Sequence, residues 1–559
     1  MSTKTERFLV MAATLAALSL PATARAQTLP RTVAERTDYH KTGTTADVEA
    51  FLDSLQLAGA PITVGRMGQT AEGRPILFVI ASDPRVTSAA EAKRSGKLVV
   101  YLQANIHAGE VEGKEAVQQL LREMIGPRRD LLTKLVVLVA PVYNADGNDA
   151  MGPVARNRPE QNGPDSVGVR PDGLNLDLNR DYLKAEAPET RASLARVYDT
   201  WDPAVMMDLH TTDGTRHGYL LTYSPPLNPN GPPAPTQFAQ DDLLPAVRAA
   251  MQRKYGEPVF PYGNVRNPMD PKAWTTYSPL AWYGTNYVGM RGRIAILSEA
   301  YAHADFRTRV KVTHDFVLEV LEYAAAHADE IRQVEAQADR ETALEGAGAA
   351  SRPDLAVAYQ PVSRGVEPVV LREVKAVAPP AGSPRRRPRY EPTGKLDTVK
   401  LPIMDRFAAT ATETLPGGYF LPRAEGGIAK RLRLHGIQVQ RLKAQWTGTA
   451  QVFRIDSLSW QANEFQGHHL LSVAGHYENA DVTLPAGSYY VSTAQPLGRL
   501  VFELLEPEGY GLPRWNFFDR RLGSEAGGFG GTPYGSSARR TFPLWRVDRD
   551  PDVAMRRLP

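Results

Sequence analysis

Four short runs of apolar residues recur along the first part of the chain, separated by long polar or helix-like segments. They are Leu98–Leu102, Lys134–Val142, Ala204–Leu209 and Arg293–Leu297. Short continuous apolar runs are typical of strands that are buried on both faces of a sheet. Because long crossovers separate them, they predict an α/β fold with a mostly parallel or mixed sheet and helices on both faces.

Apolar residues at helical spacing predict the helices that would cover this sheet. They favour a helix over Thr45–Leu57, another from about Val111 to Met124, and one or two within Asp305–Thr342. The segment Val64–Ile80 predicts two strands joined by a turn near Gly73. The pattern therefore predicts one α/β domain over residues 27–345.

The pattern changes after residue 345. Residues 346–397 include a segment rich in Pro, Ala and Arg over 378–389, which predicts a linker or an exposed loop. Residues 398–559 carry short apolar or alternating runs broken by glycine-containing turns, which predicts a smaller all-β, sandwich-like domain. Within it, the glycine-rich segment Gly523–Ser537 predicts a flexible loop.

The N-terminus has the features of a secretory signal peptide. Lys4 and Arg7 precede the apolar stretch Phe8–Leu20, and a small-x-small pattern ends at Ala26. The stretch is too short to span a bilayer, so an uncleaved anchor is the less favoured alternative. The sequence predicts that residues 1–26 are removed and that the protein is exported, to the periplasm or outside the cell, without spanning the membrane.

Composition narrows the possible functions further. The 559 residues carry a formal net charge of +3, which offers no electrostatic basis for binding nucleic acid. The chain contains no cysteine, so disulfide bonds cannot stabilise it. Core burial, with or without a bound metal, must do so instead.

Titratable side chains follow three of the predicted strands. His107 and Glu110 follow the first, His210 follows another, and Glu299 ends a third. Ligand sites in open α/β sheets lie at the carboxyl ends of the strands, so these residues are expected to converge. Two imidazoles and one carboxylate match a catalytic zinc site with a fourth position for water or substrate. For Asp208, an orienting role and a structural role both stay open.

Two arginine-bearing segments, Ala155–Pro164 and Leu174–Tyr182, lie between these residues in the sequence. Guanidinium groups near a zinc site suggest one arginine that clamps a substrate carboxylate and another that stabilises an oxyanion. The alternative is that these arginines pair only with carboxylates such as Asp177 and Asp181.

Several motifs together resemble the zinc carboxypeptidase family that is related to carboxypeptidase A. They occur in the order His107-x-x-Glu110, Asn179-Arg180, Asp208-Leu209-His210 and Glu299. The segment Gly68–Arg74 also looks like the part of the family that precedes the first ligand strand. The resemblance covers roughly residues 40–325 and is not expected to extend into the C-terminal part.

The resemblance implies a metal site with one Zn²⁺ per chain. It implies that His107, Glu110 and His210 are the zinc ligands. It also implies that Glu299 is the general base that activates water and then the proton donor, although a buried carboxylate paired with an arginine is the alternative interpretation.

The resemblance also implies residues that would bind the substrate. Asn179 and Arg180 would hold its free carboxylate, and Arg158 would polarise the scissile carbonyl, with Arg156 as an alternative. The mobile tyrosine of the family is assigned to Tyr277. The alternatives for that tyrosine are Tyr283 and Tyr287.

The predicted function is that of an exported zinc metallocarboxypeptidase acting on peptides or amino-acid conjugates with a free carboxylate. One alternative is a zinc amidase or deacylase that acts on cell-wall peptides or acylated amino acids. Another is a catalytically silent peptide-binding protein. His217 is expected to pack within a loop or behind the site, and His468–His469 are not expected to form a second metal site.

Overall fold

The computed structural model of the protein describes residues 29–378, 389–522 and 541–558. The predicted signal peptide over 1–26 and the glycine-rich segment over 523–537 lie outside the described residues, as does most of the arginine-rich segment. Among the described helices, none combines the length and the apolar character that a membrane crossing requires.

Eight strands form the central sheet. They are β1 (Ile62–Gln69), β2 (Pro75–Ala81), β3 (Leu98–Ala104), β4 (Leu135–Ala140), β5 (Val205–Thr211), β6 (Leu221–Ser224), β7 (Val259–Pro261) and β8 (Ile294–Ala300). Their spatial order is β1-β2-β4-β3-β5-β8-β6-β7. The central strands β4, β3, β5 and β8 are parallel to one another. Antiparallel pairs join β1 to β2, β2 to β4 and β8 to β6, whereas β6 and β7 are parallel. The predicted mixed α/β sheet is confirmed.

Helices pack on both faces of this sheet. The longer ones are Thr45–Leu57, Ala89–Ser95, Glu112–Glu123, Leu244–Ala250, Gly284–Met290, Phe306–Ala326 and Ala328–Ala347. The shorter ones are Val33–Arg36, Leu131–Lys134, Ala145–Asp149, Val154–Asn157, Leu178–Arg180, Pro188–Ser193, Leu194–Tyr198, Pro233–Phe238, Ala239–Leu243 and Met251–Tyr255. Local sequence sets several starts: the Thr44 hydroxyl accepts a hydrogen bond from the Asp47 amide, and the Asp305 carboxylate accepts one from the Thr308 amide.

Alternate residues of each central strand enter two different cores. On β3, Val100 and Leu102 pack with Phe316 and the other helices of one face. Tyr101, between them, points into the second core, which also contains Tyr287 from the helix Gly284–Met290. This alternation is the two-residue period of a strand that is buried on both sides.

Residues 346–397, predicted to be a linker, contain strands over most of the part that is described. The strands are Asp354–Val362, Val366–Val377 and the start of Arg389–Met404, and the last two pair antiparallel with each other. Buried Val369 and Leu371 pack against Tyr219 and Trp274 of the α/β region. The Pro- and Arg-rich composition of one short stretch obscured the alternating apolar positions on either side of it. The linker prediction was therefore wrong for these residues.

The C-terminal region, defined here as residues 398–522 with 541–558, is rich in β-structure as predicted. Its main sheet is antiparallel and has seven strands. The strands are Gly418–Leu421, Gln440–Leu442, Trp446–Trp460, Leu471–Leu484, Tyr489–Ser492, Thr541–Val547 and Met555–Arg557. Its helices are Gly426–Leu434, Gly498–Leu505 and Asp519–Leu522, and the strand Arg406–Thr414 pairs with Asp354–Val362. A single large sheet with helices thus replaces the expected two-sheet sandwich.

Candidate active site

Three neighbouring parallel strands bring the predicted site residues together. His107 and Glu110 lie just beyond the carboxyl end of β3, His210 is near the end of β5, and Glu299 is near the end of β8. Glu299 lies directly opposite His210 in the pairing of β8 with β5. The carboxyl ends of β3, β5 and β8 therefore build one site from residues distant in sequence.

The donor atoms of His107, Glu110 and His210 converge on one point. The His210 Nδ1 atom lies 3.1 Å from the His107 Nδ1 atom and 2.9 Å from the Glu110 Oε2 atom. The His107 Nδ1 atom is 3.2 Å from the Glu110 Oε1 atom. All three side chains are buried, and they are the one cluster within the described residues whose spacing suits a metal ion.

The other ring nitrogens of the two histidines face carboxylates. The His107 Nε2 atom is 3.0 Å from Asp177 Oδ1, and the His210 Nε2 atom is 3.1 Å from Asp208 Oδ2. Gln103 in turn donates a hydrogen bond of 3.0 Å to Asp208. Zinc-binding histidines use this arrangement to fix their ring orientation and leave the remaining nitrogen for the metal. The two Nδ1 atoms and the Glu110 carboxylate therefore fit zinc.

Charges around these ligands keep Glu110 ionised. Burial alone would raise the pKa of Glu110, but the charges of His107 and Arg158 and hydrogen bonds from both histidines hold that pKa well below its usual range. Burial would likewise lower the pKa of His210, yet the carboxylates of Asp208 and Glu110 raise it well above its usual value. The site is thus rich in negative charge, which favours a bound cation.

Glu299 lines the same cavity as the ligands and is less deeply buried than they are. Burial, together with the charges of Glu110 and Asp213, raises the pKa of Glu299 to about 8 against the opposing effect of His210. A carboxyl group whose pKa is this high can both accept and return a proton near neutral pH.

Two arginines were alternatives in the sequence, and the structure places only one of them at the site. The buried Arg158 donates a hydrogen bond of 2.8 Å to Glu110 Oε1 and also bonds the backbone carbonyl oxygen of Thr212 at 3.2 Å. Arg156 is exposed and bonds its neighbour Asn157 instead. Arg158 is therefore the better placed of the two.

Arg170 is a site residue that the sequence did not single out. Its Nη2 atom lies 2.8 Å from Asp177 Oδ2, and its Nη1 atom lies 3.7 Å from Glu110 Oε1. Burial would lower the pKa of Arg170, but Asp177 and Glu110 raise it above its usual value. Asp177, considered earlier only as an arginine partner, thus joins this arginine to His107. The sequence offered one hint of this role, because Arg170 lies in a polar stretch only nine residues before Asn179.

Asn179 and Arg180 lie together in a short helical turn at the wall of the cavity. The Asn179 Oδ1 atom accepts a hydrogen bond of 2.8 Å from the backbone amide of Gly284. The Arg180 guanidinium stacks 4.4 Å above the ring of Tyr283. Both predicted carboxylate-binding residues are therefore held by the adjacent residues Tyr283 and Gly284.

The three candidate tyrosines occupy different environments. Tyr277 lines the cavity, and its ring packs edge-on against Tyr283 at 5.2 Å. Burial raises the pKa of Tyr277. Tyr283 also lines the cavity, whereas Tyr287 is in the second core with its hydroxyl hydrogen-bonded to His435 Nδ1 at 2.8 Å. The structure excludes Tyr287 as the site tyrosine and adds Tyr262, which the sequence had not suggested.

His217, His468 and His469 lie outside the cluster of proposed metal ligands. His217 is buried, accepts a hydrogen bond from the Tyr219 amide, and packs 4.6 Å from the ring of Tyr301, as expected for loop packing. His468 lies 2.9 Å from a carboxylate oxygen of Glu186. Neither His468 nor His469 belongs to a metal-binding group within the described residues.

The cavity that contains these groups has a volume of about 550 Å³. Its walls also contain aromatic and apolar groups. The lining residues are His107, Glu110, Asn157, Arg158, Glu160, Arg170, Asn179, Arg180, His210, Thr211, Asp213, Tyr262, Tyr277, Tyr283, Thr285, Leu297 and Glu299. A cavity of this size accommodates a small ligand or the end of a peptide.

Comparison with known proteins agrees with this geometry. Residues 48–213 match the sequence profile described as zinc carboxypeptidase. The predicted resemblance to the zinc carboxypeptidase family is confirmed. Among similar proteins, carboxypeptidase 2 of Trichophyton equinum is 23% identical over 534 residues, which cover 88% of this chain and 86% of that protein. Carboxypeptidase 2 of Trichophyton rubrum is 23% identical over 512 residues, covering 86% of this chain and 85% of that protein.

This coverage is wider than the sequence motifs had indicated. The motifs placed the resemblance within residues 40–325, whereas an alignment of 88% of the chain also includes much of the C-terminal region. The expectation that the resemblance stops before that region was therefore wrong.

Solved metallocarboxypeptidases align with about half of the chain. The metallo-carboxypeptidase from Burkholderia cenocepacia has a TM-score of 0.37 and 16% identity, covering 51% of this chain and 70% of that one. The carboxypeptidase A from Helicoverpa armigera has a TM-score of 0.36 and 16% identity, covering 52% of this chain and 75% of that one.

Proposed function

We propose that the protein is an exported zinc carboxypeptidase that removes residues from the carboxyl ends of peptides. The observation that carries this proposal is the convergence of the Nδ1 atoms of His107 and His210 on Glu110, while Asp177 and Asp208 face their other ring nitrogens. The same cavity contains Glu299 and Arg180, which supplies a proton-transfer group and a cation beside the metal ligands.

His107, Glu110 and His210 would hold one Zn²⁺ per chain. Zinc bound there would supply Lewis-acid chemistry, lowering the pKa of water and polarising the scissile carbonyl. Asp177 and Asp208 would keep the two imidazoles turned toward the ion, since they lie 3.0 and 3.1 Å from the outer ring nitrogens.

Asn179 and Arg180 would bind the free carboxylate of the substrate and so place its last peptide bond beside Glu299. Arg180 already stacks on Tyr283. Its side chain therefore loses less conformational entropy when it binds the substrate. Tyr277 would close over the bound residue, since its ring packs on Tyr283 at the same wall.

Glu299 would take a proton from the attacking water and then return it to the nitrogen of the departing residue. The raised pKa of about 8 supports both steps. Arg158 would donate hydrogen bonds to the oxyanion that forms at the scissile carbonyl, because its guanidinium is fixed beside Glu110. The proposed export rests on residues 1–26 of the sequence.

Matched peptides test this proposal. The zinc-loaded protein is incubated with peptides that differ only in having a free or an amidated carboxyl terminus, and the products are read by mass spectrometry. We expect stepwise loss of C-terminal residues from the free acids and at least about a hundredfold slower loss from the amides, since an unpaired Arg180 forfeits the ion pair that orients the substrate.

Other outcomes would favour the alternative functions. Release of the acyl group from N-acyl amino acids, without shortening of free-acid peptides, would indicate a deacylase or amidase. Zinc binding without turnover of either substrate class would indicate a peptide-binding protein. Removal of the metal with a chelator and its restoration with Zn²⁺ provides the matched control for each assay.

A further inference from the structure

A loop of the C-terminal sheet reaches the candidate active site. It joins the strands Trp446–Trp460 and Leu471–Leu484, and its tip consists of residues Phe465–His468. The backbone amide of Asp177 donates a hydrogen bond of 2.7 Å to Gln466 Oε1. A residue 289 positions further along the chain thus holds the segment that carries Asp177.

The tip is a tight turn with an unusual residue at its first central position. The amides and carbonyls of Phe465 and His468 bond each other at 2.8 and 3.1 Å. The two central residues, Gln466 and Gly467, have φ angles of 54° and 78°, as in a type I′ turn. Asn, Asp or Gly normally occupies such a first position because a longer side chain is strained there. A strained backbone at Gln466 indicates that the contact made by its side chain has a function.

The carboxylate of Asp177 is the next step toward the metal site. Its Oδ1 atom faces the outer ring nitrogen of His107 at 3.0 Å, and its Oδ2 atom binds Arg170 at 2.8 Å. The hydrogen bond that the Asp177 backbone amide donates to Gln466 Oε1 fixes the backbone of the same residue. Gln466 therefore acts on the orientation of a zinc ligand through one intervening residue.

Two other tip residues contact the same wall of the cavity. The ring of Phe465 lies 5.7 Å from that of Trp282, which precedes Tyr283, the stacking partner of Arg180. His468 lies 2.9 Å from Glu186 on the segment that follows Arg180. The tip is thus anchored on both sides of Gln466, so its side chain is delivered to Asp177 in a defined position.

We propose that Gln466 is a positioning residue for the metal site, which makes the C-terminal region a working part of that site. This role rests on the proposed function only because it takes the bound ion to be zinc. In structural terms, Gln466 fixes Asp177, and Asp177 fixes the ring of His107. Orientation of a ligand before the ion binds raises the affinity for the ion.

Three variants at position 466 test separately whether the length of the side chain, its acceptor oxygen and the geometry of the turn matter. Gln466→Gly removes the side chain and suits a positive φ, so the turn is kept. Gln466→Asn keeps the amide and also suits the turn, but it is one methylene too short to reach Asp177. Gln466→Glu keeps an acceptor oxygen at the original reach. Asn463→Ala, at an exposed position of the same loop, is the matched control.

Zinc affinity is measured for each variant by competition with a chelator, alongside the thermal midpoint. We expect Gln466→Gly and Gln466→Asn to bind zinc about threefold to tenfold more weakly than the wild type, the range that one net hydrogen bond supplies. Gln466→Glu and Asn463→Ala should stay within about twofold of the wild type, because neither loses the contact. Equal zinc affinity in all five proteins would overturn the proposal.

A second measurement needs neither zinc nor activity. Hydrogen–deuterium exchange in the metal-free protein follows the short peptides that contain Asp177, whose amide donates to Gln466. Exchange should accelerate about threefold to tenfold in Gln466→Gly and Gln466→Asn but not in Gln466→Glu. Unchanged exchange would contradict the contact itself. Failure of the peptidase assay with altered exchange would instead overturn the proposed function and leave the positioning intact.

Discussion

The two faces of the central sheet are covered from different parts of the chain. One face packs against helices of the α/β region itself, including Phe316 of the helix Phe306–Ala326. The other face shares a continuous core with the C-terminal region, in which Met206 of β5 belongs to the same cluster as Trp515 and Leu500. The proposed catalytic groups come from the α/β region, and the C-terminal region completes the core beneath them.

The two regions also differ in what they contribute: one carries the proposed site residues, and the other packs against the segments that hold them. The proposed ligands, base and carboxylate-binding residues all lie between residues 107 and 299. The C-terminal region contributes buried contacts such as Trp515 against Trp282 at 5.4 Å, and the Gln466 contact to Asp177. It follows that the C-terminal region is packed into the same fold as the α/β region.

The largest expected effect is that of removing residues 346–559. The truncation would expose the second face of the sheet, including Tyr101, Tyr287 and Trp282, all of them buried in the intact chain. We expect no cooperatively folded product, because burial of this apolar surface supplies much of the folding free energy. Circular dichroism and thermal unfolding test this. A folded, zinc-binding fragment would show that the two regions are independent.

Single large-to-small substitutions compare the two faces directly. Trp515→Ala removes a fully buried side chain at the junction with the C-terminal region, and Phe316→Ala removes one from the opposite core. Both should lower the free energy of unfolding by about 3–5 kcal/mol. Urea denaturation measures this, with Leu57→Ala at an exposed position as the control. A loss below about 1 kcal/mol for Trp515→Ala would mean that the junction is loosely packed.

Glu299→Gln should affect chemistry and leave folding intact. The variant retains the shape of the side chain but cannot accept or return a proton, so the peptidase rate should fall at least about a hundredfold. Zinc content and the thermal midpoint should match those of the wild type, because Glu299 is not one of the proposed ligands. Steady-state kinetics and metal analysis provide the readouts. Near-normal turnover would refute the proposed role of Glu299.

Acid should weaken the junction between the regions through His435. The His435 Nδ1 atom accepts a hydrogen bond from Tyr287. Burial, together with the nearby charges of Arg291 and Arg431, lowers the pKa of His435 to about 3. The unfolded chain binds this proton below about pH 6.5 and the folded chain does not, so stability falls as the pH falls from 6.5 towards 3.

The expected slope is up to about 1.4 kcal/mol per pH unit from this one group. His435→Gln cannot bind the proton, so its free energy of unfolding should fall less steeply than that of the wild type between pH 7 and pH 5. Urea denaturation at several pH values measures the difference. Parallel pH curves for the two proteins would show that His435 is protonated as readily in the folded state.

The smallest expected effect distinguishes the two candidate arginines. Arg156→Ala should leave peptidase activity and stability unchanged, because the side chain is exposed and bonds only its neighbour Asn157. Arg158→Ala should lower the rate by about a hundredfold or more if it stabilises the oxyanion as proposed. Kinetics of the two variants side by side make the comparison. Equal losses of peptidase rate in the two variants would contradict a specific role for Arg158 and would indicate that both arginines contribute.

The sequence was informative wherever local pattern and general sheet geometry sufficed. His107, Glu110, His210 and Glu299 each follow or end a strand-forming apolar run, and the ends of parallel strands meet at one edge of a sheet. The mixed sheet and the helix Thr45–Leu57 followed from periodicity alone. These features depend on residues that are close together in sequence.

The positions of other side chains depend on the paths of loops, and contacts between segments distant in sequence determine those paths. Arg170 reaches Asp177 because of the route of a polar loop, and Tyr287 turns into the core because its helix packs against His435. The strands within the predicted linker were missed for the same reason, since composition does not show which surfaces bury each other.

The amino-acid sequence by itself thus determined the strands, the residues at their ends and the family that they resemble. Only the tertiary structure decided that Gln466 lies beside Asp177 and that the C-terminal region closes one face of the sheet. The physical reason is that a hydrogen bond or a shared core between distant segments leaves no periodicity in either segment. It becomes visible only when the whole chain has packed.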